Sequence, residues 1–341
     1  MRDEPLVRRA RKEPTKSHLT CRSTSAARQR RQRPAGGVAH GRAPGHPLRR
    51  APRRATARDL WVAVETIHAV TYFAPGPRDA LKEAGLRGFW AGYFASRAAP
   101  LGRVGAGPVC AAFFNFAPGM VARAVPSCWE VVAPEALCTV RARAAASALG
   151  ELCRVEARTG LAAVLPLLRH AVTGCDAPGR VMAAANQDLW PVVAADLGPD
   201  GLAEAWQACT TLREHRGDGH VAALVTRGLS GLEAHLLAAG TKGIPSEILR
   251  DNRGWSAAEW DAGTSALVAL GLLHADGRAT DAGRTWHGEV EALTDELAEP
   301  AYAALADGAL EDLLGALRAC ARDIVAAGVL PFPNPMGLPR P

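Results

Sequence analysis

The densest run of reactive side chains is Arg213-Glu214-His215-Arg216-Gly217-Asp218-Gly219-His220, set inside an otherwise apolar helical pattern. Each glycine within a helix costs about 1 kcal/mol relative to alanine. Glu214 and Asp218, four residues apart, add a like-charge repulsion. Something must offset these costs, and two readings do so. In one, the run is a polar site in which the glycines let a ligand approach and Asp218 orients His215 or His220 for proton transfer or metal binding. In the other, it is a buried ion-pair network: Glu214 or Asp218 satisfies an arginine from the first half of the chain, and the glycines permit a tight helix crossing. His215 and His220 lie five apart, not at the four-residue spacing that puts two histidines on one helical face, so no metal is expected there.

Aromatic side chains are the second signal. Eleven of the 18 fall between Trp61 and Trp129. Trp90 and Phe94, like Phe89 and Tyr93, are one helical turn apart, with Arg97 a further turn past Tyr93. Stripes at this spacing usually pack a core. With His68, Tyr72, Trp90, Tyr93, Arg97 and Asn115 nearby, they also have the composition of a small-molecule pocket. A cleft between the two halves would join this wall to Arg213, Glu214, His215, Arg216, Asp218 and His220.

No phosphate-binding loop, dinucleotide fingerprint or nucleophile elbow occurs, and no cofactor is expected. The net charge of +6 misleads: seventeen of the 40 Lys and Arg but three of the 34 acids lie in residues 1–58, leaving −8 on the remainder. The eight cysteines include no Cys-x-x-Cys pair, as suits a reduced thiol set. No stretch approaches the roughly 18 apolar residues of a membrane span, and the arginine-rich start lacks a secretory apolar region. A cytoplasmic location is expected.

The elements that must position these groups are helical, because Ala, Leu, Arg and Glu dominate over β-branched residues. Residues 1–57 read as a disordered basic extension, an over-long gene start or leader in preference to a nucleic-acid arm. Residues 58–173 read as an aromatic-rich, winged-helix-like domain, 174–201 as a connector, 202–329 as a second domain and 330–341 as an extended Pro-rich tail. Within the second domain, Ser256 and Glu259 form a capping box for a helix reaching Gly271. Leu272-Leu273-His274-Ala275-Asp276-Gly277-Arg278-Ala279-Thr280 then suggests two short strands about an Asp-Gly turn, with Thr280 capping the next helix.

The runs Ser265–Leu273, Ala275–Arg278 and Thr280–Arg284 resemble the recognition helix, wing and following helix of MarR-type regulators. His68–Phe73, Gly88–Phe94, Arg97–Gly102, Ala112–Phe116, Leu212–His220 and Pro331–Gly337 resemble an actinobacterial family of helix-turn-helix proteins. The resemblance implies an all-α fold with small β-wings, two tandem winged helix-turn-helix halves forming a MarR-like pseudo-dimer, as a monomer or a homodimer. It also implies a small-molecule-responsive regulator with a hydrophobic or aromatic ligand between its halves. DNA would be met at Thr264, Ser265 and Arg278. That partner is poorly served, because the candidate helix presents Glu259, Trp260, Asp261, Thr264 and Ser265 and no base. The alternatives are an enzyme of specialised metabolism using Asp218, His215 or His220 as acid–base groups, and a ligand-binding or scaffold protein without DNA binding.

Overall fold

The computed structural model describes residues 55–189 and 200–341. The basic extension expected over 1–57 lies outside the described residues except for its last three, as does the 190–199 part of the expected connector. Helix α1 (Ala57–Phe73) starts where the apolar periodicity starts. Thr56 caps it in a capping box with Asp59, and Leu60, Ala63, Val64, Ile67 and Val70 form its buried stripe. Helices α2 (Pro75–Glu83), α3 (Phe89–Ala98), α4 (Ala106–Ala112), α5 (Pro118–Ala122) and α6 (Cys128–Val131) are short, and proline opens two of them at the first turn. Their aromatic and apolar side chains form a core of their own around Phe94, Phe113, Phe116 and Trp129.

Helices α7 (Pro134–Leu152), α8 (Val155–Ala163), α9 (Leu165–Thr173) and α10 (Val181–Asp188) surround α11 (Leu202–Thr226). Every residue of α11 from Leu202 to Leu212 is buried, so it is the central rod of the fold and not a surface helix. Its first half packs in the main core with α1, α7, α8, α9 and the last helix, which is α16 below. Its second half enters a third core with α12 (Gly231–Lys242), α13 (Ser246–Asp251), α14 (Ala257–Ala269) and α15 (Asp281–Ala298). Ser230 and Ser256 cap α12 and α14 through capping boxes with Glu233 and Glu259. Helix α16 (Asp307–Ala326) returns to α1 and α8, where the thiols of Cys153 and Cys320 meet at 2.8 Å. The seven described cysteines are free thiols, and no described helix is long and apolar enough to cross a membrane.

The expected β-wings are not formed: the described residues contain no strand, and the fold is all-α. Between α14 and α15, Leu273 and Ala279 make one isolated antiparallel bridge. His274 N–H donates to Arg278 O at 2.8 Å and Thr280 N–H to Leu272 O at 3.0 Å. The ladder goes no further because Ala279 N–H donates instead to Gly240 O of α12, at 3.0 Å. The turn is thus a buckle fastened to a helix, and α15 begins at once behind it. The tandem pseudo-dimer fails with the wings. At the supposed equivalent position in the first half, Leu152 ends α7 and Val155 starts α8, which leaves no room for a hairpin.

Candidate functional site

A cavity of about 240 Å³ is walled by α1, α3, the 112–116 turn, α11, α12, the 252–253 turn, α15 and the C-terminal tail. One turn of α11 after another delivers Arg213, Glu214, Arg216, Gly217, Asp218 and His220 to it. Opposite them stand Tyr72, Trp90, Tyr93, Arg97 and Asn115. The two groups singled out in the sequence therefore share one cavity. His68 and His215 do not line it.

At the polar wall, Arg97 grips Glu214 with both arms, Nε to Oε1 at 3.0 Å and Nη2 to Oε2 at 3.2 Å. Arg213 Nη1 lies 2.7 Å from the same carboxylate, and Arg213 Nε reaches Glu65 Oε2 at 3.2 Å. Burial alone would raise the Glu214 pKa, but Arg213 and Arg97 outweigh it and hold this carboxyl well below the usual glutamate range. Arg97 also stacks over Phe113, 4.0 Å from its centroid, and donates to the Tyr93 hydroxyl at 3.3 Å. Arg216 pairs with Asp295 at 3.0 Å and lies over Trp61.

Asp218 is bonded to neither histidine. Its Oδ2 accepts from Ala183 N–H at 2.9 Å, at the first turn of α10, and burial pushes its pKa up to about 6. His220 donates from Nδ1 to Thr294 Oγ1 at 2.9 Å, a direction set by the Thr294 hydroxyl proton going to Val290 O. His215 is buried among Arg180, Trp61 and Tyr302, and its Nε2 has no hydrogen-bond partner. Burial lowers both to about 4, so both rings are neutral bases near pH 7. His68 is fixed by similar logic: Thr210 gives its proton to Trp206 O, so His68 Nδ1 donates to Thr210 and Nε2 accepts from Tyr72. These histidines are not arranged with Asp218 as an acid–base pair. Among the described residues no cluster of His, Cys, Asp or Glu is placed to hold a metal.

The two glycines differ in purpose. A Cβ on Gly219 would come within 2.8 Å of Arg180 Nη1 and 3.2 Å of Leu297, so this glycine admits the arginine that bonds His215 O and Leu297 O, both at 2.7 Å. A Cβ on Gly217 would make only ordinary contacts with Glu214 and Arg213, and Gly217 borders the cavity.

Several wall residues carried no signal in the sequence: Glu65, His235, Lys242, Arg253 and Glu291; the tail turn Pro335–Gly337, part of a run that carries the family resemblance, also lines the wall. The tail is anchored by Leu330 and Leu338, buried against Ala69. Asn334 holds its turn, accepting from Met336 and Leu338 N–H and donating to Leu338 O. Of the residues expected to meet DNA, Thr264 and Ser265 donate their hydroxyl protons to their own helix, at Trp260 O and Asp261 O, and Arg278 pairs with Asp276 at 2.7 Å on the exposed turn.

A family model described as a helix-turn-helix family matches residues 57–331. No curated protein and no solved structure matches the chain.

Proposed function

The chain belongs to a helix-turn-helix family, and from that premise we propose that it is a regulator whose state is set by a small hydrophobic or aromatic molecule held in the cavity. The observation that carries this reading is the make-up of the wall: aromatic side chains of α3 and its neighbours on one side, and α12 and α15, which flank α13 and α14 in the chain, on the other. A cavity of roughly 150 Å³ holds benzene. At about 240 Å³ this one suits a body of one or two rings. A molecule seated there touches Leu237 and Val290, both of which also belong to the core that supports α14. Occupancy would thus bias how α14 is held.

Family membership makes DNA a plausible partner, and the sequence likeness to MarR-type regulators points the same way. The contact would run through Thr264 and Ser265 on α14 and Arg278 on the turn beside it. Few phosphates would be neutralised, because Arg278, Arg284 and Arg250 are each paired with a neighbouring aspartate. A shallow dependence of DNA affinity on salt follows.

Native mass spectrometry of the freshly purified full chain tests the ligand reading, with a bound mass expected that is lost on denaturation. Quenching of Trp61 and Trp90 by an added naphthalene derivative tests it independently. A chain that carries nothing and takes up no such probe ends this reading. Gel-shift titration against upstream DNA at two salt concentrations, with and without probe, tests the regulatory half.

A further inference from the structure

Arg253 is 9% exposed, and its guanidinium has no carboxylate partner among the described residues. Its Nη1 donates to Asn252 O at 3.1 Å, its Nη2 to Pro335 O at 2.7 Å, and its face rests 4.6 Å from the Phe116 centroid. Burial lowers its pKa to about 10, with Arg97 and Arg213 adding to that effect. Those two arginines already share Glu214 and Glu65, so three guanidiniums around this end of the cavity face two carboxylates. A second cation, Lys242, lines the same wall from the exposed C-terminal end of α12. Glu291 acts on it as a counter-charge, but that carboxylate is held by Arg58 at 2.5 Å and by Arg216, and Lys242 makes no salt bridge of its own among the described residues.

The tail turn touches both cations: Pro335 O sits on Arg253, and a Cβ on Gly337 would lie 3.5 Å from Lys242 Nζ. A third group, His235, is 8% exposed, and its Nε2 is buried without a hydrogen-bond partner on the same wall. A buried charge lacking a counter-charge, next to an unsatisfied polar atom, is stable only if something in the cavity answers it. The remaining wall carboxylate does not. Asp218 is held by Ala183 N–H and is pushed toward its neutral form.

We propose that the cavity takes a small organic anion, a carboxylate or phenolate on a body of one or two rings, with the charged group seated between Arg253 and Lys242 beneath the tail turn. The rings lie against Trp90, Tyr93 and Phe116. This inference rests on the ligand reading above and narrows it from any apolar molecule to an anionic one.

The test is a titration of the full chain at pH 7.5 with two probes of matched shape, 1-naphthoate and the neutral 1-naphthalenemethanol, read by calorimetry. Naphthoate is expected to bind at least tenfold more tightly. Arg253→Gln should bring it down to the level of the alcohol without changing the alcohol, and Lys242→Met should reduce the preference several-fold. Equal binding of the two probes overturns the anion and leaves the ligand reading standing, whereas binding of neither overturns both. Should Arg253→Gln fail to fold, Lys242→Met decides, and a preference surviving there at full strength overturns the proposal.

Discussion

Replacing Glu214 with Gln isolates the contribution of a single buried charge, because the side chain keeps its size while the carboxylate is lost. Glu214 is 2% exposed and holds Arg97 through two hydrogen bonds and Arg213 through a third contact. Arg213 retains Glu65 after the change, but Arg97 is left between Phe113 and an amide with no counter-charge. Breaking a buried pair from one side costs about 3–5 kcal/mol. At about 2–4 °C per kcal/mol for a large domain, the thermal midpoint should fall by roughly 6–20 °C. Arg97→Met should cost less, since Glu214 then keeps Arg213 at 2.7 Å. The double variant should recover part of the loss, a coupling of about 1–3 kcal/mol in a thermal or urea cycle. Because the Glu214 pKa is depressed in the fold, its contribution is complete above the ordinary glutamate value and disappears as pH falls through the folded one. Wild type and Glu214→Gln should therefore converge in strong acid. A loss under about 1 kcal/mol, or single effects that simply add, would refute the claim that this pair is buried and mutually dependent.

Acid should weaken the fold before its carboxylates titrate. His215 and His220 stand at about 4 and His68 and His235 lie well below their ordinary value, so between pH 6.5 and 4.5 the unfolded chain binds more protons than the folded one and the midpoint measured across that range should fall. Asp218 has the opposite sign: its pKa of about 6 makes the ionised form a burden above that pH, so Asp218→Asn should be no less stable than wild type at pH 7.5 by urea denaturation. Gly240→Ala should destabilise by more than 1 kcal/mol, as estimated for strained sites, because its Cβ would lie 2.5 Å from Gly277 O. Gly288→Ala, inside α15 with nothing within 4 Å, should stabilise by about 0.5–1 kcal/mol in the same assay.

Much of the local architecture was legible in the residues. The start of α1, the capping box at Ser256 and the aromatic stripe of α3 are all written in neighbours three or four positions apart. The apolar face of α16, with Leu310, Leu313, Leu314, Leu317, Cys320 and Ile324, has the same three- and four-residue spacing. The ribbon after α14 misled for a nameable reason. An Asp-Gly turn between apolar residues looks the same whether its N–H groups serve a partner strand or a helix carbonyl such as Gly240 O.

By itself, then, the sequence determined the helices, their caps and a charged segment whose cost demanded an explanation, because propensity, periodicity and capping act within one or two turns. Tertiary structure alone decided which arginine answers Glu214, a choice made across 117 residues, and which arginine is left unanswered. Arg97 and Arg253 look alike in the chain. Only packing shows that one faces a carboxylate and the other two backbone carbonyls and a ring, because electrostatic pairing depends on distance in space and carries no short-range signature.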